Sequence, residues 1–174
     1  MKQCVIVLLM LLNLDAWAQT HEKDSIGKNM VFFEAFGSSL VYSINYERII
    51  LDNNRLNLSV RGGFMMLPDL NADSEGYTMA FPTGINLSLG SDAKSLVLGT
   101  GFTPWLEATT GGMDANDDDM PRHDWSSYTY FKIGTRKVYS NGVFFEASLF
   151  TFYDLLTNNF MPPIWIGISL GYPF

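Results

Sequence analysis

The stretch IWIGISLGYPF, residues 164–174, decides the fold class of this chain. Its large apolar and aromatic side chains occupy every second position, and tryptophan, glycine, serine and proline fill the positions between them. Successive side chains of a β-strand point to opposite faces, so this period of two predicts a strand with one strongly apolar face. Whether that face meets a protein core or lipid depends on the rest of the chain.

The N-terminus has the pattern of a secretory signal peptide. Lys2 supplies a positive charge, residues 5–12 form an unbroken apolar segment, and an A-x-A cleavage site ends at Ala18. The apolar segment is shorter than the roughly 18 to 20 residues that a membrane-spanning helix needs. We therefore predict a cleaved signal peptide at residues 1–18, a flexible N-terminus at residues 19–29 and one folded domain at residues 30–174.

The composition favours an all-β protein and excludes some partners. The chain of 174 residues contains 14% aromatic residues and 15 glycines, a mixture typical of strands and tight turns. A net charge of −7 without a basic stripe argues against nucleic acid as a partner. The one cysteine, Cys4, lies inside the signal sequence, so the mature protein would fold without a disulfide.

Beyond residue 29 the sequence divides into eight runs of alternating character, separated by clusters of glycine, asparagine, aspartate and proline. The runs cover residues 30–38, 40–47, 55–65, 77–89, 96–105, 126–136, 143–152 and 164–174. Aromatic residues toward the ends of the runs are candidates for the interface girdles of a membrane barrel: Tyr42, Tyr46, Tyr77, Tyr172 and Phe174.

Charged residues lie near the middle of the runs, on the face opposite the apolar one. They are Glu34, Glu47, Arg61, Lys132, Arg136 and Glu146. In a soluble sandwich these charges would face water, whereas in a barrel within lipid they would meet in a polar lumen, where opposite signs can pair. Because an eight-stranded barrel is only wide enough for its own side chains, we predict a plugged lumen with paired charges rather than a conduction path.

The connections between runs distinguish a sandwich from a barrel. The links after the second, fourth and sixth runs are tight turns, at residues 51–54, 90–94 and 139–142. The links after the third, fifth and seventh runs are long, at residues 66–76, 106–125 and 153–163. This alternation is typical of a transmembrane barrel, with tight periplasmic turns on one rim and long external loops on the other.

The end of the chain resembles the C-terminal strand of Gram-negative outer-membrane β-barrels, in which a terminal phenylalanine follows apolar or aromatic residues at every second position. The matching positions are Phe174, Tyr172, Leu170, Ile168 and Ile166. With its signal peptide and eight runs, the chain is similar to the "outer membrane protein beta-barrel domain" group of small barrels. The resemblance implies an eight-stranded antiparallel up-and-down transmembrane β-barrel with both termini in the periplasm, whose last strand is recognised by the barrel-assembly machinery.

The longest predicted loop contains the segment GGMDANDDDMPRHDW, residues 111–125. Asp114, Asn116 and Asp118 have the D-x-N-x-D spacing with which oxygen ligands surround calcium. However, Asp119 stands where that motif has glycine, and no glutamate follows at the twelfth position. We therefore assign no metal ligand, and we interpret the segment as a solvated acidic loop.

His123, Asp124 and Ser126 suggest a hydrolase, because some eight-stranded outer-membrane barrels are lipid-modifying enzymes that use a serine, a histidine and an acid. Side chains this close in sequence rarely form a triad, and Ser126 lacks a nucleophile elbow. We predict that the protein is not an enzyme and has no catalytic residue and no cofactor. Three tryptophans toward the external rim are interpreted as headgroup anchors rather than as a ligand-binding lip: Trp105, Trp125 and Trp165.

The sequence as a whole predicts a small integral outer-membrane barrel, exported through the signal peptide, with a structural or surface-interaction role and no open pore. The expected partners are outer-membrane lipid and lipopolysaccharide, the barrel-assembly machinery and an unidentified external ligand. Two alternatives stay open. One is a lipid-modifying enzyme of the outer membrane, and the other is a soluble periplasmic barrel that carries a lipid, with its apolar faces inward and its charges outward.

Overall fold

A computed structural model describes residues 27–53, 55–68, 75–91, 93–110, 122–157, 159–161 and 164–174. Their strands are β1 (Asn29–Ala35), β2 (Tyr42–Asn53), β3 (Leu56–Pro68), β4 (Glu75–Ala80), β5 (Thr83–Gly90), β6 (Lys94–Thr110), β7 (Arg122–Val138), β8 (Phe144–Asp154), β9 (Asn159–Phe160) and β10 (Trp165–Pro173). Within these residues no helix is long and apolar enough to span a bilayer. The predicted signal peptide lies outside the described residues, as does most of the predicted flexible N-terminus.

The strands form one antiparallel sheet that closes on itself. Consecutive barrel strands pair with one another, and β10 pairs with both β8 and β1, which completes the ring. β4 and β5 form one barrel strand, because both pair with β3 and β6 in a continuous register. The short β9 continues the line of β10 beside β8. The ring therefore has eight barrel strands, which confirms the predicted eight-stranded antiparallel up-and-down β-barrel.

The break between β4 and β5 has a chemical cause. Pro82 has no backbone N–H to donate to the ladder, so regular pairing is interrupted there. The neighbouring groups still bond across the break: the Gly63 N–H donates to the Pro82 carbonyl (2.7 Å) and the Phe81 N–H to the Pro104 carbonyl (3.1 Å). The wall of the barrel is continuous through this point.

The barrel has two different ends. The tight turns after β2, β5 and β7 lie at the same end as the start of β1 and the end of β10, and we call this end the turn rim. The opposite end, the loop rim, carries the other connections. In the last tight turn the Tyr139 N–H donates to the Val143 carbonyl (2.9 Å). Gly142 occupies the left-handed region there, with a φ of 83°, which glycine adopts without steric cost.

β6 and β7 are longer than the sequence predicted. The prediction of a loop over residues 106–125 was wrong at both flanks, because β6 continues to Thr110 and β7 begins at Arg122. Each strand has 17 residues, more than the roughly 9 to 11 that cross a bilayer. β8 pairs with β7 only from Tyr128 onward, so the β6–β7 hairpin projects beyond its neighbour at the loop rim.

Successive side chains of each strand point alternately out of the barrel and into it. Apolar residues lie outside and polar residues inside, which is the reverse of the arrangement in a soluble protein. The outward positions carry apolar residues around the ring, among them Phe33, Ile44, Val60, Phe64, Ile85, Leu98, Phe102, Phe131, Ile133, Phe145, Ile168 and Leu170. The inward positions carry buried polar and charged residues, among them Ser43, Asn45, Ser59, Asn86, Ser148 and Ser169. This is the polarity of a transmembrane β-barrel. The alternative of a soluble barrel with a lipid inside requires the opposite arrangement and is wrong.

The last strand is paired along both edges, which explains its alternation of apolar and small residues. β10 lies between β1 and β8. Phe174, which follows β10, is fixed by two backbone hydrogen bonds, from the Phe174 N–H to the Asn29 carbonyl (2.8 Å) and from the Asn29 N–H to the Phe174 carbonyl (3.2 Å). The alternate apolar side chains therefore point out of the barrel, while Gly167, Ser169 and Gly171 point into it.

The girdle candidates lie on the outer face toward the two rims. Tyr46 and Tyr172 flank Val31 near the turn rim, and the Tyr46 hydroxyl donates to Asn29 Oδ1 (2.7 Å). Toward the loop rim, the Tyr42 hydroxyl donates to the Met66 carbonyl. Interface girdles are expected to consist of outward aromatic rings near each rim whose hydroxyl groups reach polar partners.

Candidate functional site

The lumen is the main concentration of polar groups in the described structure. Three carboxylates and three cations meet near its middle, and their side chains are at most 6% exposed. They are Glu34 on β1, Glu47 on β2, Arg61 on β3, Lys132 and Arg136 on β7, and Glu146 on β8. The inward face predicted for all six is confirmed, and their formal charges balance.

Arg136 links two of the carboxylates. Its Nη1 and Nη2 atoms donate to the two carboxylate oxygens of Glu47 (3.0 and 2.9 Å), and its Nε donates to Glu146 Oε2 (2.8 Å). Lys132 Nζ donates to the other oxygen of Glu146 (2.6 Å), and Asn86 Nδ2 donates to Glu47 Oε2 (2.9 Å). The planar guanidinium fork suits such paired contacts, which hold the three barrel strands β2, β7 and β8 together inside the lumen.

Arg61 and Glu34 form a second, two-pronged ion pair. Arg61 Nη1 donates to Glu34 Oε2 (2.9 Å) and Nη2 to Oε1 (3.0 Å), while Nη2 also donates to Asn45 Oδ1 (2.7 Å). The guanidinium carbon lies 5.1 Å from the centre of the Phe32 ring. The backbone N–H and hydroxyl of Ser38 both donate to Glu34 Oε1 (2.7 and 2.5 Å). The prediction that opposite charges pair in the lumen is therefore confirmed.

The connection between β1 and β2, residues 36–41, folds into the lumen from the loop rim. Ser38 and Ser39 are completely buried. The Ser38 carbonyl accepts hydrogen bonds from Thr103 Oγ1 (2.9 Å) and the Tyr128 hydroxyl (3.1 Å) on the far wall. The runs predicted at residues 30–38 and 40–47 leave only a short link here, but its inward path could not be predicted, because the left-handed positions are Phe36 and Leu40 rather than glycine.

Aromatic rings fill the lumen between the charges and the loop rim. Tyr128, Tyr130, Phe150 and Phe152 form one buried cluster, against which Leu40, Trp105, Met161 and Trp165 pack. The interpretation of Trp105 and Trp165 as headgroup anchors was wrong, because both rings pack against this buried cluster. Trp165 also shares the inward face of β10 with Gly167. Only Trp125, which is 61% exposed, stays available for that role among the three.

Glycines on the inward face make room for the large interior side chains. Gly101 lies directly opposite Tyr130 across the β6–β7 ladder, and Gly99 lies opposite Lys132. A Cβ atom at position 101 would overlap the Tyr130 ring, and one at 99 would contact the Lys132 chain. Glycine at inward positions of a strand is therefore the sequence signal that could have located the bulky layer of the lumen.

Toward the turn rim the lumen contains a small cavity of about 30 Å³. Its walls include Glu47, Ser59, Ser88, Arg136 and Phe144. That volume holds about two water molecules. A cavity of this size is too small for a lipid or a metabolite.

The residues singled out for catalysis do not form a site. His123 and Ser126 are both exposed and lie three positions apart on β7, so their side chains point to opposite faces at a separation of about 10 Å along the strand. The described residues contain no group of three or more side chains that could hold a metal ion. The possible calcium ligands Asp114, Asn116 and Asp118 lie outside the described residues.

The fold and the lumen together define a closed eight-stranded β-barrel whose outer wall is apolar and whose interior is filled. Two solved barrels are similar to it. The N-terminal β-barrel domain of Pseudomonas aeruginosa OprF aligns with a TM-score of 0.47 and 13% identity, and the alignment covers 86% of this chain and 100% of the OprF domain. Ail, the attachment invasion locus protein of Yersinia pestis, has a TM-score of 0.49 and 11% identity, with the same coverage.

No known protein family matches this sequence, and no curated protein matches it. The structural similarities lie at low identity and carry no inference about activity. Membership of the "outer membrane protein beta-barrel domain" group therefore stays a prediction.

Proposed function

We propose that this chain is a small integral outer-membrane protein with a structural or surface-interaction role and without an open pore. The observation that carries the proposal is the apolar wall, which runs around the whole ring of outward positions while the charges are paired inside. An apolar surface of this extent has no stable place in water, and a closed sheet satisfies its backbone groups within lipid. Export through the predicted signal peptide and assembly through the last strand belong to the same proposal.

The loop rim is the part of the molecule that would meet external partners. The β6–β7 hairpin projects there, and His123 and Trp125 are exposed on it. The acidic segment that joins the two strands, residues 111–121, contains four aspartates and no lysine or arginine. These features support a surface-interaction role, with lipopolysaccharide or an external ligand as the proposed partner. With the turn rim then in the periplasm, both ends of the barrel domain lie on that side.

Heat-modifiability is the direct test of the membrane barrel. The protein extracted from the outer-membrane fraction in mild detergent should run as a compact band without boiling and as a slower, unfolded band after boiling, because a closed ladder of strand hydrogen bonds resists detergent until heated. Recovery in the periplasmic fraction, without a mobility shift, would contradict the proposal.

The filled lumen makes a second prediction. The buried turn at residues 36–41, the aromatic cluster and the paired charges occupy the lumen along most of its length, so the refolded protein should give no regular conductance steps in planar bilayers. A porin recorded under the same conditions serves as the positive control. Stable steps of one size in several independent preparations would show an open path.

A further inference from the structure

The described side chains of the turn rim carry an excess of positive charge. Four cationic residues are exposed there. Arg48 on β2 and Lys137 on β7 occupy outward positions of their strands, and Lys28 before β1 and Arg55 in the β2–β3 turn lie at the end of the barrel. We call these four residues the basic belt. A fifth cation, Lys94, lies directly opposite Lys137 across the β6–β7 ladder. Asp52 is the one acidic side chain outside the lumen among the residues described at this rim, and by sequence one further aspartate, Asp92, lies between β5 and β6.

The basic belt lies beside aromatic residues at the edge of the apolar wall. The Lys137 ammonium is 5.0 Å from the centre of the Tyr139 ring. Arg48 shares the outward face of β2 with Tyr46, two positions away. Lysine and arginine side chains at such an edge can keep their stems on apolar surface while their charged ends reach the headgroup level. The belt is therefore continuous with the surface that faces lipid.

The charges of the loop rim have the opposite sign. Glu107, Asp124 and Asp154 are the acidic residues with described side chains there, and the segment of residues 111–121 adds four aspartates by sequence. Since the interior charges balance one another, the net charge of the barrel is divided between an acidic loop rim and a basic turn rim. The two ends therefore favour different lipid surfaces.

We propose that the basic belt binds the phosphate headgroups of anionic phospholipids in the leaflet that surrounds the turn rim. This inference rests on the proposed membrane function and adds a lipid preference to it. Lysine and arginine attract an anionic lipid surface electrostatically, each by an amount equivalent to about a fivefold change in association, and the attraction falls off with salt. The apolar wall contacts the chains of any lipid, whereas the basic belt gives the preference for anionic headgroups.

The test measures which lipids contact the refolded full-length barrel. The protein is reconstituted into phosphatidylcholine vesicles that contain a trace of spin-labelled phosphatidylglycerol or spin-labelled phosphatidylcholine, and the motionally restricted fraction of each label gives its relative association. The wild type should prefer phosphatidylglycerol by about fivefold at low salt, with most of the preference lost in 0.5 M salt. The double variant Arg48→Gln/Lys137→Gln should lower that preference to about twofold, because Lys28 and Arg55 keep their charges.

Matched variants separate charge from other effects. Arg48→Lys/Lys137→Arg keeps both charges and should keep the preference, and Asp52→Asn removes the acid of the same rim and should leave the preference equal or larger. Equal association of both labels with the wild type, or the same preference in the glutamine variant, overturns the proposal.

A gel-mobility control in the same vesicles separates the two proposals. A compact, heat-modifiable band without any headgroup preference overturns the basic belt as a lipid site and leaves the proposed membrane function standing. Absence of the compact band from the wild type in all vesicles counts against the membrane function itself.

Discussion

Replacing Arg136 with methionine should lower the free energy of unfolding of the barrel by about 3 to 5 kcal/mol, the usual cost of removing one partner from a buried ion pair. Arg136 holds both oxygens of Glu47 and one oxygen of Glu146. The methionine side chain is unbranched like the aliphatic part of arginine and fills most of the same space. The expected loss of stability therefore comes from the missing charge and hydrogen bonds. Without Arg136 the described direct partners of Glu47 are the neutral groups of Ser59 and Asn86.

The measurement is a urea titration of the barrel refolded in detergent micelles, followed by tryptophan fluorescence. The free energy of unfolding of Arg136→Lys should lie between those of the wild type and the methionine variant, because an ammonium group keeps the charge but cannot make the paired contacts of the guanidinium group. The double variant Arg136→Met/Glu47→Gln restores charge balance in the lumen and should recover most of the lost stability. A single methionine variant within 1 kcal/mol of the wild type, or a double variant no better than the single one, would contradict this account of the network.

The faces of the strands could be predicted from the sequence because the side-chain period of a strand is two. Once β2 was placed with Tyr46 outward, Glu47 had to point inward, and the same parity fixed Lys132 and Arg136 on β7. The pairing of the charges followed from their convergence in a narrow lumen. Which carboxylate pairs with which cation did not follow, since that depends on the stagger of strands around the ring.

The interior plug at the loop rim could not be predicted, because it depends on long-range packing. The inward turn requires left-handed conformations at Phe36 and Leu40, residues that rarely adopt them, and it is stabilised by Thr103 and Tyr128 from distant strands. The ends of β6 and β7 were missed for a related reason. Their polar sequence is typical of a loop, but inter-strand hydrogen bonds satisfy the backbone there as well as in the apolar wall.

The second prediction concerns Phe174. It distinguishes a role in assembly in the cell from a role in the stability of the assembled barrel. Its backbone is bonded to Asn29 in both directions, whereas its side chain is 60% exposed on the outer face near the turn rim. Phe174→Asp keeps the backbone bonds and places a charge at the interface rather than in the hydrocarbon core, so the refolded barrel should lose about 1 kcal/mol or less. A loss of stability of this size would by itself leave assembly in cells nearly unchanged.

If the last strand is instead the recognition signal for the barrel-assembly machinery, Phe174→Asp should remove most of the protein from the outer membrane, while the purified variant still refolds in detergent with a normal heat-modifiable band. The amount of compact band in outer-membrane fractions, at matched expression, gives the first result, and refolding of the denatured chain gives the second. Phe174→Tyr keeps an aromatic terminal residue and should assemble normally. Normal assembly of the aspartate variant would contradict a recognition role for the terminal ring, and failure of both assembly and refolding would assign Phe174 a structural role instead.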